Sequence, residues 1–154
     1  MPRIDLDLAE LRAGTGYPAP FDAAVAGRRL RRLAPVAGFG ALGVSHVLLK
    51  PGAWSSQRHW HDGEDEFLVM LSGEAVLIED SGETLLRAGD CAGWPAGVRN
   101  GHHLVNRSAA DCVFLCVSAG DRAAGGGYSD IDMIFTGAGY QHRDGTPYVA
   151  ERMP

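Results

Sequence analysis

Short apolar runs broken by turn residues, not a helical repeat, organise this chain. GVSHVLLK (43–50), EFLVMLSG (66–73), EAVLIED (74–80), ETLLRAG (83–89) and DCVFLCVS (111–118) each have the length of a β-strand. Between them stand glycine-rich punctuation marks such as KPGA, LSGE, DSGE and RAGD. Turn signals recurring every ~8–12 residues predict an all-β sandwich or barrel. Helical periodicity is confined to the start, where LDLAELRAG (6–14) predicts a helical turn or two ending at Gly14.

The pattern divides the chain into three stretches. Residues 41–118 form the expected β core. Residues 1–40, with GYPAPF inside, read as an arm leading into one or two edge strands, and residues 119–154 as an extension that packs back on the barrel or across a dimer. CVFLCV is apolar on both faces although a barrel strand buries only one, so its outer side needs a cover. A homodimer is the expectation.

Composition narrows the function classes. A chain of 154 residues with 45% hydrophobic and 21% charged residues is the size and make-up of one globular domain. The formal charge of −5 argues against a nucleic-acid partner. The one basic run, GRRLRRL (27–33), reads as a strand or turn whose arginines pair with acids or with a dimer partner. No apolar stretch approaches the ~18 residues of a membrane helix, and MPRIDLDLAELRAG lacks the apolar segment of a signal peptide. A cytoplasmic location without membrane contact is expected. The three cysteines are too few for a disulfide framework; Cys112 and Cys116 share a strand face with Phe114 and read as small buried hydrophobes.

The candidate chemistry begins at RHWHDGEDEF (58–67). On a strand, residues two apart face the same way, so His59 and His61 point together and Trp60 points away. Two imidazoles so placed suit one divalent metal ion. If the chain reverses at DGED, a carboxylate of Glu64, Asp65 or Glu66 returns beside them. GDCAGWPAGVRNGHHLVN (89–106) adds a histidine pair from another strand, followed by Asn106. Three histidines and a carboxylate suit Mn(II), Fe(II), Ni(II), Co(II) or Zn(II).

These two stretches resemble the two motifs of the cupin superfamily. The first family motif reads Gly, five or six residues, His-x-His, three or four residues, Glu, six residues, Gly, and here Gly52, AWSSQR, His59-Trp60-His61, DGED, Glu66, FLVMLS, Gly73 matches at every spacing. The resemblance selects Glu66. The second motif begins as expected at Gly89, DCAGW, Pro95-Ala96-Gly97, but VRNG places four residues before His102 where the family has two. His102 keeps the three-residue spacing to Asn106; a bulge would put His103 in its place.

The resemblance implies a double-stranded β-helix, a jelly-roll barrel of the single-domain bacterial type. It implies one divalent transition metal held by His59, His61, Glu66 and His102, with His103 as the alternative to His102. Asn106, Arg58, Gln57 and His46 are the expected supporting or pocket residues. Four protein ligands leave about two positions on an octahedral ion for a small-molecule substrate. The expected function is a metalloenzyme of isomerase, lyase or dioxygenase type acting on a polar metabolite. The alternative is a non-catalytic binding or sensing module.

Overall fold

The computed structural model describes residues 3–148. Residues 1–2 of the expected arm and 149–154 of the expected extension lie outside the described residues. The strands in chain order are β1 (Leu11–Ala13), β2 (Arg28–Arg32), β3 (Leu42–Leu49), β4 (His59–His61), β5 (Glu64–Ser72), β6 (Glu74–Glu79), β7 (Gly82–Arg87), β8 (Cys91–Trp94), β9 (His103–Val105), β10 (Cys112–Gly120), β11 (Gly126–Tyr128), β12 (Ile134–Thr136) and β13 (Gly139–Gln141).

They form an all-β, antiparallel jelly roll. One layer is a six-stranded sheet in the order β1-β2-β3-β10-β5-β8. The other consists of β7-β6-β9 and β13-β12-β11-β4, joined where His59 and His102 form an isolated antiparallel bridge. The five long apolar runs became β3, β5, β6, β7 and β10, as their alternation requires. The start differs from expectation: instead of a helix ending at Gly14, Leu6–Leu8 make one 3-10 turn and the chain then extends into β1. Asp5 caps that turn by accepting the Asp7 backbone N–H, and Ala9 already has extended dihedrals, so the helix does not propagate.

Period-two alternation sorts the six-stranded sheet into an inner and an outer face. Leu49, Met70, Cys112 and Phe114 point inward and pack with Leu77 and Leu104 of the opposite layer into one core. Burying each such side chain stabilises the fold by about 1.5–3 kcal/mol. The outer face carries Val44, His46 and Leu48 of β3 beside Val117, Leu115 and Val113 of β10. On β5, Phe67 and Leu71 are 47% and 48% exposed. No helix among the described residues is long and apolar enough to cross a membrane.

Both termini join the sheets. The arm supplies β1 and β2 as edge strands, and the extension supplies β11, which pairs with β4 at Gly126–His61, Gly127–Trp60 and Tyr128–His59. The turn between β4 and β5 is held tightly from the same side. A Cβ on Gly63 would sit 2.5 Å from both the Asp121 carbonyl and the Ala124 methyl, so only glycine fits there.

Candidate metal centre

β4 and β5 are joined across Asp62 and Gly63, so the chain doubles back as the DGED run suggested. His59 and His61 share a face, with ring centroids 5.0 Å apart. Among the three acids, Asp65 points outward and accepts the Ala96 backbone N–H at 2.8 Å. Glu64 and Glu66 both point inward. One ligand atom from each of His59, His61 and Glu66 lies within 4.8 Å of the others. Glu64 stands behind this trio, 3.5 Å from His61 Nδ1, where it accepts from Ser118 Oγ at 3.1 Å and from Arg122 Nε at 3.2 Å.

His102 stands beside the trio. Its Nε2 is 3.0 Å from Glu66 Oε2, which is also 3.4 Å from His61 Nε2. The His103 ring turns the other way, edge-on to Trp54 at 4.6 Å, with Nδ1 3.0 Å from the Ser56 carbonyl oxygen. Of the adjacent histidines, only His102 reaches Glu66. The long VRNG loop explains how His102 is aimed: Asn100 donates to Glu79 Oε1 at 2.9 Å, and its carbonyl lies 3.1 Å from His102 Nδ1. Trp94 stacks on the His102 ring at 3.7 Å and donates its Nε1 to Glu79 at 2.7 Å.

The nitrogen chemistry suits a divalent ion. A carbonyl oxygen only accepts, so the 3.0 Å contact of His59 Nδ1 with Gln57 O places the proton on Nδ1 and leaves Nε2 free. His102 Nδ1 likewise donates to Asn100 O, while its Nε2 faces Glu66 Oε2. Such outer contacts fix imidazole tautomer and orientation in metal sites. Burial drives the pKa of His59 down to about 4, against the pull of Glu66, so the ring is a neutral donor at pH 7. Burial alone would raise Glu66, but the bonds from His102 and His61 outweigh it and hold the carboxyl well below its usual range. His61 Nδ1 is buried without a hydrogen-bond partner. The residues present therefore fit a metal ion.

The supporting residues expected from sequence are placed differently from one another. Asn106 is fully buried, but its amide donates to Leu49 O and Ala110 O, and its Oδ1 accepts from Ser108 N and Oγ. Three of these bonds brace the turn after β9, the fourth ties it to the end of β3, and none touches an imidazole. Arg58 grips Asp130 and Asp80 with bonds of 2.6–2.9 Å, tying β4 to two turns outside the cavity. Gln57 supports His59 through its backbone carbonyl, while its side chain donates to Phe21 O. His46 lies on the outer face of β3, in register with Arg31 and Leu115.

Several cavity residues carried no sequence signal. The histidines and Glu66 line a cavity of about 480 Å³. Cys116 donates its thiol to Glu66 Oε1 at 2.9 Å, and burial, reinforced by the Glu66 charge, raises its pKa well above the usual value, so it remains a thiol. The opposite wall comes from the termini. The Phe135 ring lies 5.2 Å from His61 and the Tyr128 ring 6.0 Å from His59. Tyr17 packs against Tyr128 and Tyr140 at 5.7 and 5.2 Å, and Tyr128 donates its hydroxyl to Tyr17 at 3.3 Å. His142, by contrast, pairs with Asp132 and stacks on Tyr148 in a surface turn.

The family model described as a cupin domain matches residues 45–118. Among solved structures, a sugar phosphate isomerase of the cupin superfamily from Silicibacter pomeroyi shares 41% identity with a TM-score of 0.90, over 99% of this chain and 100% of that one. A Cupin 2 conserved barrel domain protein from Salinispora arenicola shares 26% identity with a TM-score of 0.60, over 80% of this chain and 92% of its own. The polyketide cyclase RemF from Streptomyces resistomycificus, at 20% identity and a TM-score of 0.60 over 77% of this chain and 79% of its own, shares the fold alone. No curated protein matches the sequence. The spacing of the two motifs, the jelly roll that brings them together and the full-length likeness agree, and the chain belongs to the cupin superfamily.

Proposed function

We propose that this protein is a metal-dependent isomerase acting on a small polyhydroxylated carbonyl compound. The observation that carries this reading is the convergence of His59, His61 and Glu66, with His102 against Glu66, on one side of a cavity of about 480 Å³. The Silicibacter pomeroyi structure, similar over the whole chain and described as a sugar phosphate isomerase, supports the reaction class.

A divalent ion held by these four residues would polarise a substrate oxygen and so acidify the adjoining C–H bond. The protein's own groups supply orientation and exclusion. Gln57 O holds the His59 imidazole with its Nε2 free, and Asn100 O orients the His102 imidazole, whose Nε2 faces Glu66. Cys116 fixes one oxygen of Glu66. Trp94, Phe135 and Tyr128 surround the imidazoles with aromatic surface, which lowers the local dielectric and strengthens each charge interaction inside.

The test is elemental analysis of tag-free protein beside His59→Ala, followed by an isomerisation screen of aldose and ketose substrates. Near one equivalent of a transition metal, lost in the variant, with metal-dependent aldose–ketose interconversion is the expected result. No metal after reconstitution would overturn the reading and favour a non-catalytic binding barrel.

We also propose that a second copy of the chain covers the outer face around Phe67 and Leu71, where the apolar side chains of β3, β10 and β5 lie side by side. Sedimentation velocity of Phe67→Glu beside wild type checks it; a monomeric wild type would refute it.

A further inference from the structure

Arg28 is the only arginine or lysine lining the cavity among the described residues. Strand alternation puts it there: in RRLRR of β2, Arg28 and Leu30 turn inward, whereas Arg29 and Arg31 turn out and bond to backbone carbonyls. Its Nη1 donates to Ser55 O at 2.7 Å, which fixes the guanidinium plane. Its Nε is buried with no hydrogen-bond partner, and no carboxylate among the described residues pairs with it. Among the described residues Nη2 makes no hydrogen bond and Nη1 keeps one N–H to spare, so the terminal edge of the guanidinium can grip two oxygens of a carboxylate or phosphate at once.

An unpaired cation on an inner wall is costly unless something neutralises it. The surroundings offer hydroxyls instead of carboxylates. Burial pushes the Tyr17 hydroxyl up to about 12 and raises that of Tyr140 as well, and in both the nearby Arg28 charge opposes the shift. These phenols therefore stay protonated and can donate to an oxyanion.

The position relative to Glu66 is also informative. Arg32, Ser45 and Cys116 stand in register, and Cys116 touches Glu66. Arg28 is four residues further along β2, about 13 Å of strand. The cavity of about 480 Å³ spans both levels, so its two charged ends suit the two ends of one small molecule.

We propose that Arg28, flanked by Tyr17 and Tyr140, binds the terminal oxyanion of the substrate, whose other end meets His59, His61 and Glu66. The substrate is therefore an anionic polyol or carbonyl compound, its charge a phosphate ester or a carboxylate. The second half of this statement rests on the metalloenzyme reading; the anion site does not.

Calorimetric titration of manganese-loaded protein tests it, using fructose 6-phosphate and glucose 6-phosphate for the phosphate arm, gluconate for the carboxylate arm, and fructose and glucose as uncharged counterparts. The wild type is expected to prefer the members of one charged arm over their uncharged counterparts by roughly tenfold or more, and the arm that binds names the anion. Arg28→Gln erases the preference with metal content unchanged. Arg28→Lys retains part of it, because the charge remains and the fork does not, and it serves as the decisive variant if Arg28→Gln melts early. Equal affinity for charged and uncharged members, a preference that survives both variants, or no binding by any member overturns the proposal. Metal content measured on the same samples separates the two ideas. A metal-free protein with an Arg28-dependent preference sinks the metalloenzyme reading alone, and a metal-loaded protein without the preference sinks the anion site alone.

Discussion

The two walls of the cavity were built by different kinds of sequence. The floor, with His59, His61, Glu66 and His102, comes from β4, β5 and the residue before β9, inside the stretch that matches the cupin domain model. The facing wall, with Tyr17, Arg28, Tyr128, Phe135 and Tyr140, comes entirely from the terminal stretches outside it. Polar groups on the floor are tied to one another and to carbonyls, whereas the facing wall is aromatic with one unpaired cation. The polyketide cyclase RemF has the same fold, and a fold alone does not set function.

Substitutions on the two walls should therefore fail in different ways. The largest effect is expected from Glu66→Gln, which removes the charge facing His61 and His102: bound metal falls from near one equivalent to near none, and turnover drops ~10³-fold or more. Elemental analysis with a melting curve checks this, since the fold should persist. Next is Trp94→Ala. Losing a buried aromatic side chain costs about 3–5 kcal/mol, and losing the stack on His102 should weaken metal retention as well. Denaturant unfolding with and without metal measures both parts.

Asn106→Ala should cost about 1–3 kcal/mol, because it removes the donor to the buried Leu49 carbonyl and the acceptor of the Ser108 N–H. Metal content of the folded fraction should not change, and a parallel loss of metal would return Asn106 to the site. The smallest effect belongs to Phe135→Ala on the facing wall: KM should rise several-fold with metal content intact, as expected for a group that shapes the pocket without holding the ion. A metal-free Phe135→Ala protein would erase the distinction between the walls.

The same contrast explains what was legible in the sequence. His59 and His61 were readable because a two-residue spacing on a strand fixes their common face whatever the tertiary structure. Glu66 needed the motif spacing, since the residues alone left Glu64 and Asp65 open. His102 over His103 turned on a two-residue insertion, and the fold shows the inserted loop carrying Asn100, whose carbonyl aims the ring. The facing wall had no such local code. Tyr128, Phe135 and Tyr140 lie on three-residue strands too short for a period to register, and their approach to the histidines depends on β11 pairing with β4. Arg28 was hidden in a run of four arginines in which alternation guarantees that some turn inward without saying which. Cys116 looked like filler, and only the register of β10 on β5 reveals it as a donor to Glu66.

The bridge between His59 and His102 has a consequence for motion. Their backbones exchange two hydrogen bonds, His59 N to His102 O at 3.2 Å and His102 N to His59 O at 3.0 Å, at the seam joining the two halves of the second layer. The same two residues contribute side chains to the centre, so unzipping the seam and scattering the imidazoles are a single event. An ion on those rings would act as a clasp on the barrel, and the amide protons of His59 and His102 would then exchange with solvent more slowly in the loaded protein than in the stripped one, by the factor the clasp adds to closing.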